Sequence, residues 1–316
     1  MVNLTSYPIF THIQSEEHAY RFLKKIYELQ GFCDVDALSY QNASSFMHAF
    51  SSGLAFFNEG KQASFLTKPM LLFYGCSHLI KGLLLAVQPT YPSTTKELAH
   101  GVSSRKKKKK NYAFLQDDVR TQRHGLFPVA AASLFQQPIQ VHQTYSMHHL
   151  LALIPEMSSL FSLQGKSYLE HVGCVHEKHV TFSEQLLSRY HVPIKGLLQK
   201  IKKSLPPICH LETSDDGYII HFQDSLEYPK HPFYTEQSTG KLFFPSRRSF
   251  FTQLDELLIH YLVLYNISMM TRYEHEWWGE TIGAKITTDF PMIQHFLTTT
   301  TEKVPFLVHT YIKYLI

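Results

Sequence analysis

The chain has 316 residues, 44% of them hydrophobic and 14% aromatic, with only 14 glycines and 15 prolines. That excludes fibrous and low-complexity classes and leaves enough apolar content for one large domain or two ordinary ones. The formal charge of +4 is local: removing Arg105 and Lys106 to Lys110 takes six of the 30 basic residues and leaves 24 against 26 acidic, or −2.

A nucleic-acid surface usually spreads Lys and Arg over a face or along a helix. A block of like charges reads instead as a solvent-exposed loop. If RNA binds, the block adds non-specific, salt-sensitive attraction. Cys33, Cys76, Cys174 and Cys209 are far apart and form no CxxC pair, which points to free thiols in a reducing compartment. The opening MVNLTSYPIF has no basic n-region, and the longest apolar stretch, 70–87, carries His78 and Lys81. The expectation is a cytoplasmic protein with no membrane contact.

In chain order, SEEHAYRFLKKIYELQG reads as an amphipathic helix with Ser15 as N-cap and Gly31 as stop. A second helix runs from about 38 to 57 on a stripe of Ala43, Phe46, Met47, Phe50, Leu54 and Phe57. KPMLLFYGCSHLIKGLLLAV follows, apolar nearly all round, with Pro69 at the first turn. It predicts a central buried helix. The amphipathic TKELAHGV, the lysine run and a turn-like GLFP come next. SMHHLLALIPEM then reads as a short helix stopped by Pro155.

After about 165 the character changes. KSYLEHVGCV, HVTFSEQ and KLFFPSRR read as strands, and CHLETSDDGYIIHFQ as a hairpin around Asp215-Asp216-Gly217. SFFTQLDELLIHYLVLYNISMMTRY is a long helix, and the last 27 residues give two helical pieces around Pro305. The predicted architecture is mainly α, an up-and-down helical bundle with a small antiparallel β insertion in the second half. The two regions are 1–165 and 166–316, with the C-terminal helices packing back on the first.

No GxxxxGK[ST], GxGxxG, GxSxG or HExxH pattern occurs, so no local catalytic signature is available. The group His171, Cys174, His176 and His179 invites zinc, but strand alternation sends the ligands to different faces. Neither metal nor cofactor is expected. Arg120 and His124 are four apart and would share a face on a helix. Arg can hold a phosphate while imidazole moves a proton. Alternatively Arg120, Arg123 and His124 simply end a helix at Gly125, which explains each residue without function. His78 and Lys81 sit inside the apolar helix, where a buried lysine is costly unless paired or functional; it can also snorkel to water. Arg272, Tyr273, Glu274, His275 and Trp277-Trp278 gather at a helix end, as a locking cation–π or Arg–Glu cluster or as a pocket.

KPMLLFYGCSHLIKGLLLA, the His100-Gly101-Val102 turn, RHGLFP and LYNISMMTRYEHEWW together, in this order and spacing, resemble the YaaC-like family over nearly the whole chain. A weaker resemblance joins Lys81 late on its helix, the following LLLA and the His-Gly-Val turn to the helical core of HEPN domains. That resemblance implies a dimeric up-and-down bundle linked to nucleotide binding and RNA cleavage. Its nucleases carry Arg-x4–6-His; Arg120 and His124 are separated by three residues, one short of that pattern. The candidate ligand site is drawn from His78, Lys81, His100, Arg123 and Arg272, and Arg120 and His124 are the candidate catalytic pair. Three functions follow as expectations: a nucleotide-, RNA- or protein-binding regulatory protein forming a homodimer, a metal-independent ribonuclease, and a protein-binding regulator of a metabolic enzyme that docks through Trp277-Trp278.

Overall fold

The computed structural model describes residues 7–104, 112–137, 139–285 and 287–316; the basic block 105–110 lies outside them. A short helix, α1 (Pro8–His12), precedes α2 (Glu16–Leu29). Ser15 caps α2 by accepting the His18 backbone N–H, and Glu16 and Glu17 fill the first turn, where the helix dipole favours acids. Ala19, Phe22, Leu23 and Ile26 form its buried face. The chain then builds α3 (Val35–Gln62) and α4 (Lys68–Val87). Both are longer than a single apolar stripe needs, because each packs on more than one neighbour.

Four glycines hold α3 against α4. A Cβ at Gly53 would lie 2.8 Å from Leu79, at Gly60 2.8 Å from Leu72, at Gly75 2.7 Å from Phe57, and at Gly82 2.4 Å from Phe50. The partner numbers fall as the glycine numbers rise, so the two helices are antiparallel. The missing side chains let the backbones approach and give each large residue a slot. Asn42 and Tyr27 finish the junction: Asn42 Nδ2 donates to Pro89 O at 2.9 Å and Tyr27 Oη to Leu85 O at 2.7 Å. Among the described residues α4 is the one helix long and apolar enough to cross a membrane, and 67% of that window is buried inside the protein.

Beyond α4 the sequence reading needs correction. A small antiparallel sheet forms in the first half, from β1 (Val102–Ser103), β2 (Asp118–Thr121) and, after α5 (Leu126–Phe135), β3 (Thr144–Ser146), in the order β1-β2-β3. The strands are two to four residues long, too short for alternation to register. GLFP is the start of α5 rather than a turn, since Pro128 falls in the first turn, where its missing N–H costs nothing. A short α6 (Met147–Leu151) follows.

The chain forms two compact units, 1–148 with 257–316, and 149–256. The division at 165/166 is therefore displaced, and the C-terminal helices belong to the first unit, as their apolarity requires. Besides α7 (Ser158–Ser162), the second unit contains β4 (Leu169–Cys174), β5 (His179–Ser183), α8 (Glu184–Tyr190), α9 (Ile194–Ile201), β6 (Ile208–Ser214), β7 (Gly217–Phe222), β8 (Tyr234–Thr235) and β9 (Lys241–Pro245). It has two antiparallel three-stranded sheets, β4-β9-β8 and β5-β7-β6. Val180, Phe182, Leu186, Leu197, Ile220 and Phe244 lie in its core. The hairpin read around Asp215-Asp216 is β6–β7.

The last helices are α10 (Glu256–Tyr273), α11 (His275–Ala284) and α12 (Asp289–Leu315). The two pieces expected around Pro305 are one helix that keeps Pro305 inside. A proline removes one hydrogen bond, and the burial of Phe296, Leu297, Val304, Val308 and Ile312 carries the helix through it.

Buried histidines make both units sensitive to acid. Burial, then Lys303, holds fully buried His260 well below its usual value, and burial, then Lys230, pushes His231 down to about 4. A histidine depressed in the fold binds its proton more readily when unfolded, so its stabilising share is complete above about pH 6.5 and shrinks as pH falls. For His231 the window runs from about 6.5 to about 4 and is worth up to roughly 3 kcal/mol. Thermal melts from pH 7.5 to 4.5 are expected to show a steadily falling midpoint, and a His231→Gln variant a shallower slope.

Candidate functional site

His78 and Lys81 lie three apart on α4 and Tyr74 four before His78, so all three share one helix face. Phe56 of α3 stacks on His78 with ring centroids 5.7 Å apart and tilts against Tyr74 at 6.1 Å. From α10, Tyr265, Ser268 and Arg272 are spaced to face the same way. Arg272 Nη1 reaches Tyr74 Oη at 3.5 Å, and its other nitrogens bond to Ser268 O and Met269 Sδ in its own helix. No Arg272–Glu274 ion pair forms. Its ring contact is Tyr273, 5.5 Å away.

His100 enters from the turn after α4. Its ring packs on Phe73 at 5.0 Å and Tyr265 at 5.7 Å, and its carbonyl accepts the Tyr261 hydroxyl at 2.9 Å. The turn is fixed by two glycines in the left-handed region, Gly101 at φ 76° and Gly125 at φ 127°. A Cβ on Gly125 would fall 2.3 Å from Gly101 N. Across this crossing Gln122 N donates to Gly101 O, Leu126 N to Ala99 O and Phe127 N to His100 O.

Charge distinguishes the place. Burial first, then Arg272 and Lys81, holds His100 below its usual value. Burial and then Lys81 do the same to His78, and burial lowers Lys81. No carboxylate is among the groups that shift these three. Lys81 makes no hydrogen bond or ion pair with a described residue. After burial, Arg272 and Lys81 disfavour the protonated form of His100, and Lys81 that of His78; an anion offsets the cations' share.

Of the expected ligand residues, the structure brings together His78, Lys81, His100 and Arg272. Arg123 is exposed in the turn after β2 and does not act on His100. The helical face expected for Arg120 and His124 does not exist. Arg120 lies in β2, opposite Ser103 and Thr144, and His124 is exposed in the turn before Gly125. Gly125 precedes a helix instead of ending one; its φ of 127° serves the crossing with Gly101. Trp278 is 2% exposed and Trp277 packs edge-on against Tyr112 at 4.8 Å, so the tryptophans are held in the fold. Sequence reasoning missed Tyr74, Phe56 and Tyr265, although Tyr74 was legible from its spacing to His78.

The second unit carries an open basic depression lined by Ser188, Arg189, His191, Arg247, Arg248 and Ser249. Arg189 is already paired with Glu170, and all six lining residues are exposed, so water screens them. The first-unit cluster is the better anion site.

These features describe a mainly helical protein with small antiparallel sheets and a half-buried cationic cluster. The family described as YaaC-like Protein matches residues 11–312, and the chain belongs to that family. Comparisons with curated proteins and with solved structures give no match.

Proposed function

We propose that the protein binds a phosphate-bearing ligand, a nucleotide or an RNA phosphate, at His78, Lys81, His100 and Arg272. One observation carries the reading: beyond their burial, Arg272 and Lys81 act on half-buried His100 and Lys81 acts on half-buried His78, with no carboxylate among the groups that shift His78, Lys81 or His100. Phe56 and Tyr74 beside them offer ring faces for a base, a sequence-tolerant contact. Arg supplies a planar fork for phosphate oxygens and Lys a point charge. A HEPN-like helical bundle is part of the same proposal. A homodimer belongs to the same proposal and is read by light scattering.

Calorimetric titration with ADP and with a short single-stranded RNA tests the reading. Lys81→Gln and Arg272→Gln are each expected to weaken binding by about tenfold or more, as removal of a charged hydrogen-bond partner does. Equal affinity in the wild type and both variants sinks it.

A ribonuclease is the second reading, favoured by the backbone pairing that sets 120–124 beside the His100 turn. Arg120 would steady phosphate and His124 would act as general base. RNA cleavage that survives EDTA and vanishes in His124→Ala supports it. Binding without cleavage leaves a binding protein.

A further inference from the structure

The outward face of sheet β5-β7-β6 carries a row of imidazoles. His221 of β7 stands directly opposite both His179 of β5 and His210 of β6. Residues paired across an antiparallel sheet share a face, while the intervening Val180, Ile220 and Phe222 are buried on the other side. An irregularity in β6 sets this row. Ile208 pairs with Phe222 and His210 with His221, so one residue between them is extra. Without that bulge His210 would oppose Ile220 and turn to the core side; a bulge re-aims the side chains after it.

Glu212, two residues further along β6, lies on the same face as His210. Its Oε2 is 3.0 Å from His221 Nε2. The His210 and His221 rings stack with centroids 4.1 Å apart and 10° between planes. One ligand atom from each of His210, Glu212 and His221 lies within 4.8 Å of the others. The ions of this class bond imidazole nitrogen and carboxylate oxygen at roughly 2.0–2.2 Å and need closer ligands than that. His210 and Glu212 are exposed and His221 half-exposed, so small side-chain rotations close the gap. The group His171, Cys174, His176 and His179, whose side chains strand alternation was expected to separate, is not gathered in this way among the described residues. His179 stands across His221, its ring centroid 5.8 Å away, beside Glu177.

We infer that His210, Glu212 and His221 form a site for a divalent transition-metal ion of the zinc class. Two imidazole nitrogens and one carboxylate oxygen suit Zn²⁺, Ni²⁺ or Cu²⁺ better than Ca²⁺ or Mg²⁺. Three protein ligands leave one position for water or an added ligand. The site lies in the second unit and is independent of the phosphate reading.

The test titrates the full chain with Zn²⁺ by calorimetry and with Co²⁺ by visible absorption. One ion per chain is expected to bind at neutral pH, and binding weakens as pH falls, because protons compete for the imidazoles. His221→Ala and Glu212→Gln are each expected to weaken it about tenfold or more; His171→Ala leaves it unchanged. Circular dichroism checks that each variant keeps its fold. Undiminished binding in folded His221→Ala and Glu212→Gln overturns the site. So does binding that is lost in Cys209→Ser but kept in His221→Ala, which places the ion on the exposed thiol.

Discussion

Gly125→Ala is expected to be among the most damaging single substitutions in the first unit, lowering its stability by roughly 3 kcal/mol or more. Two costs combine. The φ of 127° at Gly125 is open to glycine and strained for alanine. The added Cβ also meets Gly101 N at 2.3 Å, Gly101 Cα at 2.4 Å and Ala99 O at 2.7 Å. All three are backbone atoms, so no rotamer change relieves the clash. The segments must separate, and the bonds Gln122 N to Gly101 O and Leu126 N to Ala99 O separate with them. Because His100 sits in that turn, ligand binding is expected to fail along with stability. Chemical denaturation checks the size of the effect. A Gly125→Ala protein with wild-type stability would show that the crossing is not as close as described.

The second large effect lies in the helix pair. Gly82→Ala places a methyl 2.4 Å from the Phe50 ring, and Phe50 is fully buried. Overpacking of this kind costs roughly 1–3 kcal/mol. Phe50→Ala at the same contact leaves a void and costs roughly 3–5 kcal/mol. The two changes share one slot, so they do not add. The double variant Gly82→Ala with Phe50→Leu is expected to be more stable than the sum of its single variants predicts. Denaturant midpoints for the four proteins decide this, and strict additivity would mean that Gly82 and Phe50 do not form one slot.

Much of the helical frame was legible in the sequence. Ser15 and Gly31 bracket α2, Pro69 starts α4, and an apolar segment that continuous has to be interior. The β6–β7 hairpin was visible in its Asp-Asp-Gly turn. Legibility ended where long-range contacts decide. The short strands β1 to β3 have too few residues to show a period, and Arg120 looked helical only because His124 stands four places on. Pro305 reads as a break, yet burial of both flanks keeps α12 whole. The cationic cluster was half visible: His78 and Lys81 stood out as polar residues in an apolar helix. Arg272 and His100 were singled out, but only the tertiary fold brings Arg272 and Lys81 to act on His100. The pairing of His210 with His221 depends on a bulge, which no alternation pattern reveals.

A phosphate is expected to bind among His78, Lys81, His100 and Arg272. Histidine-ring NMR during an ADP titration, on wild type and Lys81→Gln, tests it most directly. ADP is expected to shift the His78 and His100 resonances and to raise the pH at which His100 takes up its proton: burial first, then Arg272 and Lys81, now depress it, and an anion offsets the cations' share. Lys81→Gln should need about tenfold more ADP for the same change. ADP binding that leaves His78 and His100 unmoved, or that moves His191 beside Arg247 and Arg248 instead, would contradict the claim.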